Sequence, residues 1–171
     1  MGTPMRRALR IAALLLVAAA CVPERHASAG PAEVAFVRLG EEAFTLELAL
    51  DPPTRHQGLS GRGALPRNEG MLFVEPRPSP MAMVMRDCAA PIDVAFLDAE
   101  GRVVAVHAMA VERPRARDES PAAYEARLPL YPSGLPALFA IETAGGRLHE
   151  VGLAVGDRVA LDTAGLAARA R

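Results

Sequence analysis

The chain has 171 residues, of which 51% are apolar, enough for one domain with a hydrophobic core and a short leader. Its 19 basic and 20 acidic residues nearly balance, and the basic ones are all arginine. Without the three arginines of the leader the net charge is −4, which excludes the basic composition typical of a nucleic-acid-binding domain.

The start of the chain has the anatomy of an export signal. Arg6, Arg7 and Arg10 precede a short apolar run at residues 11–20. About ten apolar residues are too few to span a bilayer as a helix, so the segment is typical of a cleaved signal. We therefore predict that residues 1–20 are a signal peptide.

Two alternative cleavage sites are consistent with the sequence of the signal peptide. The sequence VAAAC at residues 17–21 resembles a lipoprotein box, which would leave Cys21 lipidated at the new N-terminus. The triplet at 27–29 resembles an ordinary small-residue site cut before Gly30, but it lies well beyond the apolar run. We favour the first, with the exported protein anchored to the cell envelope and residues 21–32 as a flexible tether. The alternative is a secreted or periplasmic protein cut before Gly30.

Two strands are predicted at the start of the domain, at residues 34–39 and 44–50. In the second strand Phe44, Leu46 and Leu48 alternate with other residues, which is the pattern of a half-buried strand. Because β-strands have a period of two, these three side chains are expected to face the core.

A short helix is predicted next, from about residue 53 to 60, because Asp51 or Thr54 can cap its first turn. A buried strand follows at residues 70–74. The three prolines within residues 75–80 then indicate a rigid connector.

Residues 80–106 form the central stretch of the chain. Met81, Met83 and Met85 are two positions apart, so their side chains share one face of an extended segment. Pro91 interrupts the strand pattern because it has no N–H to donate. The later elements of this stretch are strands at 92–96 and 103–106 and a turn at 98–101.

The rest of the chain is less regular. Residues 112–129 mix charges with prolines and predict a long exposed loop, of the kind that often carries binding residues. A strand is predicted at 137–142, with Glu142 interrupting its apolar run. A short helix is predicted within 145–152, and a last strand at 158–162.

These elements predict a mostly β fold of the α+β class. About eight short strands would form a compact antiparallel open barrel or folded sheet, with one or two short helices. The single domain is expected to span residues 33–163, and residues 164–171 form a tail that is at best a frayed helix. The predicted core consists of inward-facing apolar residues: Phe44, Leu46, Leu48, Leu72, Ile92, Val94, Phe96, Val104, Phe139 and Ile141.

The central stretch also carries a motif. Beginning at Met85, the pattern Met-Arg-Asp-x-x-x-Pro-Ile-Asp-Val-x-Phe-Leu-Asp-x-x-Gly-Arg-Val-Val resembles the signature of the domain of unknown function 192 family. Two flanking blocks, within residues 55–74 and 131–157, agree with the family in order. The resemblance covers roughly residues 34–161, the scale of one domain. It implies a fold and no established activity.

Charged residues in the matching blocks are the first candidates for chemistry: Arg55, Arg62, Arg86, Asp87, Asp93 and Glu142. Two or three arginines could clamp a carboxylate or phosphate through paired hydrogen bonds, in an anion-accepting groove beside the methionine strand. The alternative is that they form arginine–carboxylate pairs that hold turns, with Asp93 capping backbone N–H groups. The family pattern has Lys-Asn at positions 86 and 87, and an ionised Asp87 can only accept hydrogen bonds.

Sulfur-containing side chains form a second set. Met81, Met83 and Met85, with Met71, Met109, Cys88 and His107 from other segments, would suit Cu(I). Methionine also fills irregular cores, and the resemblance places aromatic residues where Met83 and Val84 stand. No zinc spacing, phosphate loop or Cys-His pair is present, so the sequence predicts neither a cofactor nor a dedicated metal site.

We therefore expect an exported, lipid-anchored binding or accessory domain for a small anionic ligand or an envelope component, and not for nucleic acid. The candidate ligand-binding residues are Arg55, Arg62, Met83, Met85, Arg86, Asp87 and Asp93. One alternative is an enzyme for an envelope or carbohydrate substrate, with Asp87, Asp93 or Glu142 as acid or base. A Cu(I)-handling lipoprotein and a structural module without a ligand are the others.

Overall fold

The computed structural model describes residues 32–171, so the predicted signal peptide, Cys21 and nearly all of the tether lie outside the described residues. Within this part the chain forms six strands and four short helices. In order they are β1 (Val34–Leu39), β2 (Glu42–Ala49), α1 (Pro52–Gln57), β3 (Glu69–Met83), β4 (Ile92–Leu97), β5 (Val103–Met109), α2 (Pro121–Arg127), β6 (Tyr131–Ala144), α3 (Arg147–Glu150) and α4 (Thr163–Arg169). None of these helices has both the length and the apolar character needed to cross a membrane.

The strands form one open, mixed sheet in the order β1-β2-β3-β6-β4-β5. Neighbouring strands are antiparallel except β2 and β3, which are parallel because the chain crosses back through α1 between them. The predicted mostly β fold with an open, largely antiparallel sheet is confirmed. The described strands number six instead of about eight, and one pair, β2 and β3, is parallel.

The strand count falls partly because β3 continues through the segment predicted as a connector. Its 15 residues take in the buried strand at 70–74, the three prolines and the chain as far as Met83. β2 pairs with it only up to Phe73, so beyond that point no strand within residues 32–171 pairs with this edge of β3, and an unpaired edge tolerates proline. The register with β6 also shifts between Val74 and Ser79.

Both faces of the sheet are buried, and side-chain alternation divides the apolar residues between two cores. The first core includes Phe44, Leu46, Leu72, Phe139 and Ile141. The second includes Leu59, Met71, Phe73, Met85, Ile92, Val94, Phe96, Met109 and Ala140. Of the ten predicted core residues eight are buried, whereas Leu48 and Val104 are half-buried.

Two segments predicted to lack stable structure form helices. In the predicted loop at 112–129, α2 forms and buries Tyr124, and Leu128 directly after the helix is buried too. The predicted tail contains α4, whose Leu166 packs into the first core. Each helix has only seven residues, so its apolar period is too short to stand out in the sequence.

The helix start and the turn predicted from single aspartates are both present, and each is stabilised by a side-chain hydrogen bond. Asp51 caps α1, because its side chain accepts the Thr54 backbone N–H at 2.9 Å. At the turn between β4 and β5, Asp98 accepts the backbone N–H groups of Glu100 at 3.0 Å and Arg102 at 2.8 Å. These short-range features depend on residues within four positions of each other, which is why they were predictable.

The end of the domain is partly as predicted. The helix expected within residues 145–152 is α3. The strand expected at 158–162 is wrong, because Arg158 makes only an isolated bridge to Arg102.

Candidate functional site

Glu142 occupies a core position in the middle of the sheet. It lies on β6 between Met71 of β3 and Val94 of β4, and by alternation it points to the same face as Ala140. Only 5% of Glu142 is exposed, and no residue within 32–171 gives its carboxyl group a hydrogen bond or an ion pair. Burial raises the pKa of Glu142 to about 8, so the carboxyl group is mostly protonated at neutral pH.

Glu142 lines a cavity of about 400 Å³, which we call the Glu142 cavity. Its walls come from α1 and the turn after it (residues 55–60), from β3 (Phe73, Glu75 and residues 79–83), and from the loop after β3 (Val84, Arg86 and Cys88). This volume lies in the range of pockets that bind small organic ligands. Polar groups and apolar side chains both line it, as is usual for such pockets.

Arg55 is positioned by α1 at the wall of this cavity, but its guanidinium group is fully engaged. Nε lies 3.1 Å from Glu75, and the two terminal nitrogens donate to the Val74 carbonyl at 3.0 Å and the Arg171 carbonyl at 2.8 Å. Arg55 therefore ties α1 to β3 and to the end of the chain.

Arg86 lines the same cavity and is engaged as fully. It forms a bidentate pair with Glu125 of α2, at 2.5 and 2.8 Å, and donates to the His56 carbonyl at 3.1 Å. Hydrogen bonding from Arg86 lowers the pKa of Glu125, so the carboxylate stays ionised. The pair connects the loop after β3 to α1 and α2.

Arg62 does not line the Glu142 cavity. It makes a bidentate pair with Glu47 of β2, at 2.5 and 2.7 Å, beside a separate cavity of about 370 Å³ that Val34 and Leu65 also line. The three arginines thus form the arginine–carboxylate pairs that the sequence left open as the alternative. Arg55 and Arg86 share a cavity, whereas Arg62 lies apart from it.

Asp87 is exposed, outside the Glu142 cavity, in a turn with φ of +50°. Its backbone N–H donates to the Tyr124 hydroxyl at 2.9 Å, and that hydroxyl donates to the Asp87 side chain at 3.1 Å. Aspartate tolerates this left-handed backbone better than most residues. Asp87 is thus placed to hold α2 against the loop.

Asp93 is buried and has a backbone partner. Its Oδ2 accepts the Leu148 N–H at 3.0 Å, at the start of α3. This geometry is the capping role that was predicted as the alternative to chemistry at Asp93. It lies away from the Glu142 cavity, among residues that do not line it.

The sulfur-containing side chains are divided between the cavity and the core. Met81, Met83 and Cys88 line the Glu142 cavity. Met71, Met85 and Met109 are each only 1% exposed and lie in the second core. His107 is bonded to the Pro132 carbonyl at 2.8 Å and lies outside the cavity. Within residues 32–171 no three His, Cys, Asp or Glu residues form a metal-binding group.

Cys88 is not set up as a nucleophile. Burial, reinforced by the nearby Glu142 and Asp87 carboxyls, raises the pKa of its thiol to about 11. The thiol donates to the Arg86 carbonyl at 3.4 Å. At neutral pH it is therefore protonated, and the thiolate needed for attack is scarce.

Several residues of this region were not singled out from the sequence. Glu75, Tyr124 and Glu125 lie in segments that the sequence predicts to be a connector and an exposed loop. Their roles depend on Arg55 and on the loop after β3, which are distant in sequence. The only sequence signal was the general one that a long charged loop often carries functional residues.

Comparisons with known proteins place the chain in a family without assigning an activity. A candidate transcription regulator from Sinorhizobium meliloti has a similar crystal structure, with 26% identity and a TM-score of 0.61 over 77% of this chain and 97% of that one. A protein of unknown function from Novosphingobium aromaticivorans has 25% identity and a TM-score of 0.58 over 88% of this chain and 100% of that one.

Among curated proteins, none matches the chain. The family model DUF192, described as Uncharacterized ACR, matches residues 35–161, which confirms the resemblance seen in the motifs. Since the match covers most of the chain, the protein belongs to the DUF192 family.

Proposed function

We propose that this protein is an exported, envelope-anchored binding domain whose Glu142 cavity holds a small ligand. The observation that carries the proposal is the carboxyl group of Glu142, a 5% exposed residue that lines the cavity without a partner among residues 32–171. No side-chain oxygen or nitrogen of these residues is both fully enclosed and unpaired, so the carboxyl oxygens retain access to the cavity. A carboxyl group retained in this state within a cavity is typical of binding and catalytic sites.

The side chains around Glu142 indicate which ligand chemistry fits. Arg55 and Arg86 already hold Glu75 and Glu125, so a small anionic ligand would have to displace a carboxylate. The Glu142 carboxyl is instead without a partner among the described residues, which favours a ligand that offers a cation or a hydrogen-bond donor. We therefore propose this chemistry in place of the anionic ligand expected from the arginines alone.

Mass spectrometry tests the proposal. Full-length protein is extracted gently from membranes and incubated with the small-molecule fraction of the cell envelope. Its mass spectrum is expected to show one bound small molecule in addition to the polypeptide and its lipid. Glu142→Gln is expected to reduce that occupancy at least tenfold, because glutamine keeps the shape of the side chain but cannot become the carboxylate that pairs with a cation.

Glu75→Gln is the matched control. Glu75 lines the same cavity but already has Arg55 as its partner, so this variant should retain the extra mass. Two results would contradict the proposed role of Glu142: wild-type protein without a bound small molecule, or an equal loss of the bound molecule in both variants.

The anchoring part of the proposal rests on the leader sequence. Replacing Cys21 with Ser is expected to move the protein from the membrane to the soluble fraction, because the attached lipid supplies the apolar anchoring energy. Cell fractionation with immunoblotting measures this. Cys88→Ser should stay with the membranes, and an N-terminus at Gly30 in the wild-type protein would overturn the lipid anchor.

An enzyme remains a second candidate because of the raised pKa of Glu142. A carboxyl group that stays protonated up to about pH 8 can act as a general acid in a cavity. Asp87 and Asp93 are placed in a turn and a helix cap, so Glu142 would carry this role. Hydrolysis of cell-wall glycan that falls as the pH rises through 8, and is lost in Glu142→Gln, would favour the enzyme.

A further inference from the structure

We propose that the Glu142 cavity binds Cu(I) through the sulfur atoms of Met81, Met83 and Cys88, with Glu142 beside them, an inference that rests on the proposed function and names its ligand. Three soft donors line this single cavity, together with the carboxyl groups of Glu142 and of Glu75, which is paired with Arg55. The sequence alone showed only the alternation of methionines on one strand.

The positions of the two methionines allow them to reach one ion. Met81 and Met83 are two residues apart in β3, so their Cα atoms are about 6.5–7 Å apart, and both residues line the Glu142 cavity. Each thioether sits at the end of a flexible, unbranched side chain. Cys88 reaches the same cavity from the loop after β3, so the donors come from two separate segments.

The donor chemistry favours a soft, singly charged metal. Thioether and thiol groups favour Cu(I), whereas Mg²⁺ and Ca²⁺ favour sites made of oxygen ligands. The single positive charge of Cu(I) is also balanced by one negative charge, which the Cys88 sulfur supplies when it binds the ion. Binding transfers no electron: the Cys88 thiol releases its proton to water, and its sulfur forms the bond to Cu(I).

The Glu142 carboxyl group favours a cation independently of the sulfur donors. Glu142 is nine-tenths buried, has no partner among the described residues and lines the cavity together with Cys88. A buried carboxyl group without a protein partner can be compensated by a positively charged ligand.

An anaerobic titration with the colourless chelator bicinchoninate and its coloured Cu(I) complex tests the inference. Full-length protein in a Cys21→Ser background, which removes the other thiol, is expected to withdraw one equivalent of Cu(I) per chain. The double variant Met81→Leu, Met83→Leu should weaken the affinity at least tenfold, and X-ray absorption of the wild-type complex should show sulfur neighbours.

Met109→Leu is the matched control, since Met109 is buried in the second core and does not line the cavity. It should leave the affinity unchanged. If the double methionine variant fails to fold, Cys88→Ser provides a second comparison, with the same tenfold weakening expected.

Two results would overturn the inference: no withdrawal of Cu(I), or equal affinity in the wild type and in both cavity variants. If the protein does not bind Cu(I) but retains an envelope molecule in mass spectrometry, the copper site is wrong and the proposed binding cavity is still supported. Failure of both experiments would remove the proposed function as well.

Discussion

Glu142→Gln is expected to raise the free energy of unfolding at pH 8 by roughly 3–5 kcal/mol and to leave it nearly unchanged at pH 4.5, since each pKa unit is worth about 1.4 kcal/mol. Burial raises the pKa of Glu142 from 4.5 to about 8. Between these values the folded protein holds a proton that the unfolded chain has lost. The wild type must therefore lose stability as the pH rises from about 4.5 to 8, and glutamine removes this dependence.

Urea denaturation of both proteins at pH 4.5, 6 and 8 measures the effect. The two stability curves should meet at the lowest pH and diverge steadily as the pH rises. Glu75→Gln should show no such gain, because Glu75 is paired with Arg55. Parallel curves for the wild type and Glu142→Gln would mean that Glu142 ionises as easily in the folded protein as in the unfolded chain.

Phe96→Ala is expected to lower the free energy of unfolding by about 3–5 kcal/mol, which is typical of a fully buried phenylalanine. Phe96 is 0% exposed on β4, where it packs edge-on against His107 with ring centroids 6.0 Å apart. Removing the ring deletes these contacts and leaves a cavity within the second core.

Phe36→Ala is the matched control on edge strand β1, where the ring is 81% exposed. It should change the stability by less than about 0.5 kcal/mol, as most surface substitutions do. Denaturation of the two variants under one set of conditions compares them directly. Similar losses in both would mean that the inward and outward faces of these strands are misassigned.

The sequence predicted those parts of the fold that depend on neighbouring residues. The alternation of Phe44 and Leu46 gave β2, and Asp51 gave the start of α1. The continuation of β3 through its prolines depends instead on where β2 stops pairing, at Phe73. Such an edge is a property of the assembled sheet, and no local pattern of residues records it.

The site was predictable to a similar extent. Glu142 stood out because it interrupts an apolar run, and Arg55 and Arg86 stood out as charges in matching blocks. Whether an arginine is free or paired depends on a partner, and Glu125 lies 39 positions beyond Arg86. Its segment was predicted as a loop, so the sequence could not show that the anion-binding groups were already occupied.

The place of β6 in the sheet has a consequence for folding. It is the last strand in the described chain, yet it lies between β3 and β4, and Gly70 pairs with Thr143, 73 positions later. Proteins dominated by such distant pairings fold slowly, because long loops must close before the contacts form.

The centre of the sheet therefore cannot assemble until residues 131–144 are available. For the export that we propose, this strand order has a use: the sheet lacks its central strand until the C-terminal part of the chain has been made, so a finished sheet cannot form before then.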